Sequence, residues 1–300
     1  GKCRGGECTS GDTCRTGQDV NKAWGSNGDG NGQFRDPWGI AVDKNGDVYV
    51  VDTQNFRVQV FDANGGYKRQ WGSPPNQGPA REQFFEARGI GVNQNWAFLS
   101  DPGQTDDRTF RQYNRNGSWE ASLGRAPDPF GVTVDVDGNV WVVDTTGRVF
   151  LFDSNGRSGP NWQPSGDGNI SGAQGIAVWI DEKSNRTFVY VARTSQSTLV
   201  KFEYVNNNSD GLQYRGRTGS DGGNSNQFRR PRGVAADKCG NLWVTDTLNN
   251  RIQKLDKDLK FRSSFTADLI NPTGIALNSG GTAMYVVDNG KSRVVKFDLK

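Results

Sequence analysis

The chain has 300 residues, of which 33% are hydrophobic, and it carries 36 basic against 33 acidic side chains, a net charge of +3. This balance is too even to indicate a nucleic-acid-binding protein by itself, and no apolar stretch approaches the length of a membrane span. Histidine is absent, which excludes an imidazole general base, a Ser-His dyad and a His metal ligand, so enzymatic functions start at a disadvantage.

Residues 1–18 form a polar segment that holds three of the four cysteines, Cys3, Cys8 and Cys14. Because this segment has almost no apolar side chains, it cannot fold on a core of its own, and its three cysteines predict either a small disulfide knot or the stub of a preceding Cys-rich module. The spacing lacks the Cys-x-x-Cys pairs that are typical of zinc sites. A start at Gly1, without Met or a signal peptide, predicts a processed or excised chain.

One pattern repeats from residue 19 to residue 300 and predicts a single domain. A glycine opens a short apolar run, a polar turn follows, and a second apolar run usually ends in Asp. These glycines recur at intervals of about 40 to 58 residues, at Gly39, Gly89, Gly131, Gly175, Gly233 and Gly274. Such a period, filled with short strands and Asn-Gly or Asp-Gly turns, predicts one four-stranded blade per repeat and therefore an all-β six-bladed β-propeller.

The two ends of this region complement each other. The last repeat stops after its third strand, so its blade lacks an outer strand. Residues 19–25 contain Trp24-Gly25, which aligns with Trp71-Gly72 at the end of the first blade's outer strand. We therefore expect the N-terminal strand at residues ~19–25 to complete blade six and close the ring, which removes an exposed sheet edge.

Two copies of the repeat are especially regular. One runs through Phe34–Asp43 and Val50–Val58, and the other through Phe228–Ala235 and Asp246–Ile252. These segments resemble the NHL-repeat family, and the resemblance extends over nearly the whole chain. It implies binding of protein, RNA or other ligands, with amidating lyases as one enzymatic branch. That branch resembles histidine-dependent metal enzymes, whereas this chain has no histidine.

An Asp-x-x-Asn-x-Arg pattern recurs between the second and third strands, first at Asp52, Asn55 and Arg57 and again at Asp246, Asn249 and Arg251. Its repetition in several blades argues against a catalytic role and predicts an ion pair that fixes the turn. The acidic segment 135–139 lacks the further oxygen ligands of a calcium loop and predicts a hairpin turn. No metal or cofactor is expected.

The residue before each repeat glycine lies where an inner strand begins. We call this side of the ring, which also carries the loops between second and third strands, the top face. Six residues are predicted to ring the channel mouth there: Trp38, Arg88, Phe130, Gln174, Arg232 and Thr273. Trp and Arg are favoured binding anchors, although Trp38 and Phe130 could instead only plug the mouth. Arg35, Arg229 and Arg230 would extend the arginines into a basic patch of the kind that RNA-binding domains use.

The opposite, bottom face carries Cys239 in a turn of blade five, close to where the tail emerges. We expect Cys14 to bond Cys239 and Cys3 to pair with Cys8, although four cysteines permit three pairings. Four Asn-x-Ser/Thr sequons fall in predicted turns or loops, at Asn116, Asn169, Asn185 and Asn207. Cysteines and sequons together predict a secreted or cell-surface glycoprotein.

The combined features predict a non-enzymatic extracellular binding or scaffold module that presents its top face to a protein or glycan partner. Self-assembly into a larger extracellular structure is a specific form of this hypothesis. One alternative is an intracellular domain that binds single-stranded RNA, against which the balanced net charge argues. Another is a calcium-dependent hydrolase or lactonase, for which the six mouth positions provide no acidic residue.

Overall fold

The computed structural model describes residues 18–78, 80–103, 109–124, 126–205 and 211–300, together with the backbone of two short paired strands near the N-terminus. These strands, β1 (Cys3–Arg4) and β2 (Glu7–Cys8), are antiparallel and place Cys3 opposite Cys8. Every other described strand belongs to one of six four-stranded antiparallel sheets, the blades of a β-propeller. The predicted fold class is confirmed.

Each blade runs from an inner strand at the channel to an outer strand at the rim. The first three are β4–β7 (Pro37–Val42, Val48–Asp52, Arg57–Phe61, Tyr67–Trp71), β8–β11 (Ile90–Val92, Trp96–Ser100, Phe110–Asn114, Trp119–Ser122) and β12–β15 (Pro129–Val134, Val140–Asp144, Val149–Phe152, Ser158–Trp162). The next two are β16–β19 (Ala173–Asp181, Arg186–Arg193, Thr198–Tyr204, Leu212–Thr218) and β20–β23 (Pro231–Ala236, Leu242–Asp246, Arg251–Leu255, Phe261–Phe265).

Blade six is closed by the N-terminal strand. Its first three strands are β24–β26 (Pro272–Leu277, Ala283–Asp288, Arg293–Leu299), and its outer strand is β3 (Gln18–Trp24). Strands β26 and β3 are antiparallel, with Val294 opposite Trp24 and Leu299 opposite Gln18. The predicted closure is therefore confirmed, and the last strand of the chain has no open edge.

The described helical elements are single 3-10 turns in loops, at Thr53–Asn55, Ala80–Glu82, Gly166–Gly168, Thr194–Gln196, Thr247–Asn249 and Asn289–Lys291. Four of the six lie between the second and third strands of a blade, on the top face. Among the described residues, no helix is long and apolar enough to cross a membrane.

The hydrophobic core is divided into layers between neighbouring blades rather than gathered in one centre. Between blades one and two, for example, Tyr49 and Val51 pack in one buried cluster with Ile90 and Leu99. Corresponding clusters join the other neighbouring blades around the ring. Because each blade is held on both sides by buried apolar contacts, the inner strands and the channel mouth are fixed in position.

The repeat glycines let neighbouring inner strands approach each other closely. A Cβ added to Gly89 would lie 1.9 Å from the carbonyl oxygen of Phe130, and one added to Gly175 would lie 2.1 Å from that of Arg232. A Cβ added to any of the other four repeat glycines would likewise lie too close to a backbone carbonyl oxygen of the next blade. Each carbonyl belongs to a predicted mouth residue, so these glycines set the spacing of the mouth.

Replacing Gly89 by alanine is expected to destabilise the ring by about 1–3 kcal/mol or more, because the new methyl group overlaps rigid backbone. Urea denaturation would measure the loss. Gly280→Ala is the matched control, since the nearest contact of its added Cβ is an ordinary 3.6 Å to Thr282 Oγ1. Equal stability of the two variants would show that close strand approach does not explain the glycines.

The Asp and Arg of the repeated motif form the predicted ion pair. Arg57 Nε lies 2.8 Å from Asp52 Oδ2, and Arg251 Nε lies 2.7 Å from Asp246 Oδ2. Asp246 also accepts a hydrogen bond of 2.7 Å from the backbone amide of Arg229, just before the inner strand of the same blade. The motif is therefore structural, and it ties the loop between strands to the residues that lead into the channel mouth.

The acidic segment 135–139 is a hairpin turn, as expected. Asp135 Oδ1 accepts hydrogen bonds from the backbone amides of Asp137 (3.0 Å) and Asn139 (2.9 Å). Its other oxygen accepts from Trp141 Nε1 at 2.9 Å. Both oxygens of the Asp135 carboxylate thus accept hydrogen bonds from the protein itself.

Cys239 is disulfide-bonded. Apart from the backbone pairing of Cys3 with Cys8, the tail cysteines, including Cys14, lie outside the described residues, so the pairing of Cys14 with Cys239 stays a prediction. The sequon residues Asn116, Asn169 and Asn185 are exposed, and Asn207 lies outside the described residues. Exposure makes these acceptors accessible but does not test glycosylation, which also stays a prediction.

Candidate functional site

Five of the six predicted mouth residues surround one cavity of about 70 Å³ at the top end of the channel: Trp38, Arg88, Phe130, Gln174 and Arg232. A larger cavity of about 180 Å³ lies further down the channel, between aliphatic side chains of the inner strands. Thr273 is placed differently, because its side chain is buried and its hydroxyl donates to the carbonyl oxygen of Trp38 at 3.1 Å. It supports the mouth without lining it.

Trp38 is the centre of the mouth. The guanidinium carbon of Arg88 lies 4.2 Å from the centroid of the Trp38 ring, and that of Arg232 lies 4.3 Å from it. The Phe130 ring meets Trp38 edge-on, with centroids 5.4 Å apart. Both cations are attracted by the indole quadrupole, which brings two like charges to the same opening although they repel each other.

The two arginines differ in how their charge is balanced. Arg88 pairs with Asp36 at 3.4 Å and with Glu86. No described carboxylate lies within ion-pair distance of Arg232. Burial lowers the pKa of Arg232 to about 10, and the charges of Arg230 and Arg88 act in the same direction while that of Asp36 opposes them. Arg232 remains protonated at neutral pH, as an uncompensated and partly desolvated cation.

Several polar atoms at the mouth have no partner. Within the described residues, the buried Nε atoms of Arg88 and Arg232, the Nε1 of Trp38 and the Oε1 of Gln174 form no hydrogen bond. Buried polar atoms are almost always paired, so an unpaired group calls for an explanation such as a missing ion or ligand. Three of these four atoms are donors, and two of the donors belong to cations. The mouth is therefore suited to an anionic acceptor.

The segment before Arg232 carries two more arginines, Arg229 and Arg230, and both are exposed. The backbone φ of Arg230 is +52°, in the left-handed region. The corresponding residues of blades one and six are Asp36 (φ +49°) and Asn271 (φ +48°), and Asp and Asn are the side chains that tolerate this conformation best. Arginine at this position costs conformational energy, and such strain is often retained for function.

The basic patch predicted from the sequence is thus divided. Arg88 and Arg232 meet at the mouth and Arg230 lies near them, whereas Arg35 pairs with Asp29 at 3.5 Å. The left-handed backbone of Arg230 was not predicted. The available signal was an arginine directly before Pro231, where three other repeats place Asp36, Asp128 or Asn271 before the proline, of which Asp36 and Asn271 are left-handed.

The described part of the chain contains no cluster of side chains that is ready to bind a metal ion. No group of three or more His, Cys, Asp or Glu side chains lies close enough there to hold a metal ion. None of the described residues that line the mouth cavity is acidic. The arrangement can bind an anion, but it offers no positioned general base.

Comparison with known proteins gives two segments that match the model of the NHL repeat, residues 34–61 and 228–255. A stretch of 128 residues is 34% identical to the protein brain tumor of Drosophila melanogaster and covers 42% of this chain. A stretch of 45 residues is 47% identical to the E3 ubiquitin-protein ligase TRIM71 of Rattus norvegicus and covers 15% of this chain. The matches cover only 12% and 5% of these relatives' own lengths.

Among solved structures, a gluconolactonase from Xanthomonas campestris superposes with a TM-score of 0.67 and 14% sequence identity, over 90% of this chain and 88% of that one. At this identity the likeness shows the fold alone.

The sequence relatives correct the predicted location. The protein brain tumor and TRIM71 are intracellular proteins, and ubiquitin ligation takes place inside the cell. They point away from an extracellular or cell-surface location, and that prediction is wrong. Its basis was the cysteines and the sequons, and short sequons also arise by chance in a chain rich in asparagine.

Proposed function

The chain is an NHL-repeat protein folded as a six-bladed β-propeller, and on this premise we propose that it is a non-enzymatic binding module whose top face holds single-stranded RNA. The RNA backbone lies across the channel mouth, where Arg88 and Arg232 face its phosphates. Arg229 and Arg230 extend this contact along the start of blade five.

The uncompensated charge of Arg232 carries the proposal. A partly buried guanidinium without an acid partner costs desolvation energy that a bound phosphate would offset. Arg88 and Arg230 lie near enough to lower the pKa of Arg232 by repulsion, so the three cations form one local positive region. The net charge of +3 is a sum over the whole chain, so it does not show that three cations lie together at the mouth.

The size of the mouth supports binding over catalysis. Small-molecule sites usually have volumes of about 300–1,000 Å³, whereas the mouth cavity holds about 70 Å³. A phosphate group can rest in such an opening, but a sugar lactone or a whole nucleotide cannot be enclosed. A neutral glycan would leave the arginine charges uncompensated, so an anionic polymer is favoured over it.

Arg230→Asn tests the proposal because it is expected to move stability and binding in opposite directions. Asparagine accepts the left-handed backbone, so thermal stability is expected to rise, by about 1 kcal/mol in free energy. Loss of the cation is expected to weaken binding of a fluorescent nine-residue oligouridylate, U9, by roughly three- to tenfold. Fluorescence anisotropy and thermal denaturation measure the two effects.

The control is Arg157→Asn, which removes an exposed charge from a turn on the bottom face. Its affinity for U9 is expected to equal that of the wild-type protein. If Arg157→Asn weakened binding as much as Arg230→Asn, the attraction would be unspecific and the top-face proposal would fail. Absence of U9 binding by the wild-type protein would overturn the function itself.

A further inference from the structure

Blade four reverses the charge of the repeated motif. In blades one and five the residue opposite the proline that opens the inner strand is an aspartate, Asp52 opposite Pro37 and Asp246 opposite Pro231. The corresponding pair in blade four is Ala173 opposite Arg193. Blade four thus has a cation at the position where these blades hold the acid of a buried ion pair.

The partner position has changed as well. Asp52 lies opposite Arg57 and Asp246 opposite Arg251, whereas Arg193 lies opposite Thr198. The Nε of Arg193 and the Oγ1 of Thr198 are both buried and form no hydrogen bond with any described residue. No ion pair joins Arg193 to any carboxylate in the described part of the chain. Two adjacent donors therefore lack an acceptor, and one of them is charged.

Arg217 and Tyr214 share the sheet face of Arg193. Val191 lies opposite Val200, and Val200 lies opposite Arg217, so Arg217 projects from the same side as Arg193. Burial lowers the pKa of Arg193, and the charge of Arg217 lowers it further, which shows that the two cations are close. The Tyr214 side chain, on the same strand as Arg217, is 37% exposed.

The net charge of this cluster indicates the kind of anion that fits. Arg217 pairs with Asp167 at 3.6 Å, which leaves Arg193 as the uncompensated charge. A single excess positive charge matches a phosphodiester, which carries one negative charge, better than a phosphomonoester, which carries up to two. Further down the outer strand, the partly exposed Tyr214 ring packs edge-on against Phe202, with centroids 6.4 Å apart, and its free side gives a base a surface on which to stack.

The cluster lies on the blade-three side of blade four, because Val191 and Val200 of the same sheet face pack against blade three. The next residue, Thr194, contacts the other neighbour, since its hydroxyl donates to the carbonyl oxygen of Pro231 in blade five at 2.7 Å. A strand of nucleic acid would therefore cross the top edge of blade four to reach both the cluster and the arginines of blade five.

We propose that Arg193, Arg217 and Tyr214 form a second subsite for single-stranded RNA, in which Arg193 binds one backbone phosphodiester at the top of blade four. This subsite rests on the proposed function of the channel mouth and extends it outward over one particular blade. The reversed charge of the motif, rather than the motif itself, creates the site.

Arg193→Gln is the test. Binding of U9 is measured by fluorescence anisotropy at several salt concentrations, and thermal stability is measured in parallel. Loss of one phosphate contact is expected to weaken binding several-fold. It is also expected to make the slope of log K against log salt less negative by about 0.7. Stability is expected to stay equal or rise, because an uncompensated half-buried charge is removed. Arg193→Lys, which keeps the charge but not the planar fork, is expected to fall between the wild type and Arg193→Gln.

Arg157→Gln on the bottom face is the charge-matched control. If Arg193→Gln binds U9 with the affinity and salt slope of the wild type while Arg230→Asn binds more weakly, the subsite is wrong and the function of the mouth stands. If the wild-type protein does not bind U9, the function and the subsite both fall. Arg193→Gln could also bind weakly because it has lost as much stability as a core mutation loses. In that case Arg193→Lys would bind U9 as weakly as Arg193→Gln does. This result would also contradict the subsite.

Discussion

Arg232→Gln is expected to weaken U9 binding by about ten- to one-hundredfold, the largest loss of any single substitution at the mouth. A hydrogen bond to a charged group contributes about 1.5–3 kcal/mol, and a tenfold change in affinity corresponds to about 1.4 kcal/mol. Arg232 has no acid partner within the described residues, so its full charge is available to a phosphate. Fluorescence anisotropy at low and moderate salt measures the effect, and the salt slope is expected to fall by about 0.7.

The fold of this variant should persist. Glutamine loses the contact with the Trp38 ring, at 4.3 Å, but it also removes a partly desolvated charge, and these two effects offset each other. Arg262→Gln, on the outer strand β23, where the arginine is exposed and pairs with Asp256, is the control and should bind normally. A wild-type affinity in Arg232→Gln would show that the mouth does not contact RNA.

Asp246→Asn is expected to destabilise the protein by about 3–5 kcal/mol, the largest stability effect predicted for a single polar substitution. Asp246 is fully buried, and its Oδ2 accepts hydrogen bonds from Arg251 Nε (2.7 Å), Asn249 Nδ2 (2.9 Å) and Gln253 Nε2 (3.0 Å). An amide NH₂ in this place would face three donors and leave the Arg251 charge without its partner. Urea denaturation followed by tryptophan fluorescence would measure the loss.

Asp144→Asn, at the same position of blade three, is expected to leave stability unchanged or to raise it. Asp144 is also fully buried, but its Oδ2 has no hydrogen-bond partner in the described part of the chain, and burial raises the pKa of its carboxyl group. This blade lacks the Asp-x-x-Asn-x-Arg spacing, and Arg148, just before its third strand, has its Nε directed to Gln163 Oε1 at 3.4 Å instead. An amide therefore removes a desolvated charge without breaking an ion pair. Similar losses in both variants would show that the Asp–Arg pair does not explain the motif.

The architecture could be predicted because each blade repeats the same local rules. The glycines, the Asn-Gly and Asp-Gly turns and the terminal Trp24-Gly25 each depend on nearby residues, and a repeat places them at regular intervals. The reason for the glycines could not be read from the sequence. The 1.9 Å approach of a Cβ at Gly89 to the Phe130 carbonyl depends on how neighbouring blades are packed.

The mouth residues were predicted from their position in the repeat, but their chemistry was not. The sequence places Trp38, Arg88 and Arg232 at one opening, yet only the structure shows that both guanidiniums lie over one indole. Thr273 was expected to line the mouth and is buried beneath it instead, because its hydroxyl donates a hydrogen bond to the carbonyl oxygen of Trp38. The reversed charge at Arg193 was visible only once the strand register aligned it with Asp52.

Photo-crosslinking tests the binding of RNA on the top face most directly. U9 containing 4-thiouridine is crosslinked to the wild-type protein, and the linked peptides are identified by mass spectrometry. We expect crosslinks to peptides that contain Trp38, Phe130 or Tyr214, and we expect unlabelled U9 to compete with them and Arg232→Gln to abolish them. Crosslinks confined to the bottom turns, at residues 43–47 and 135–139, would contradict it.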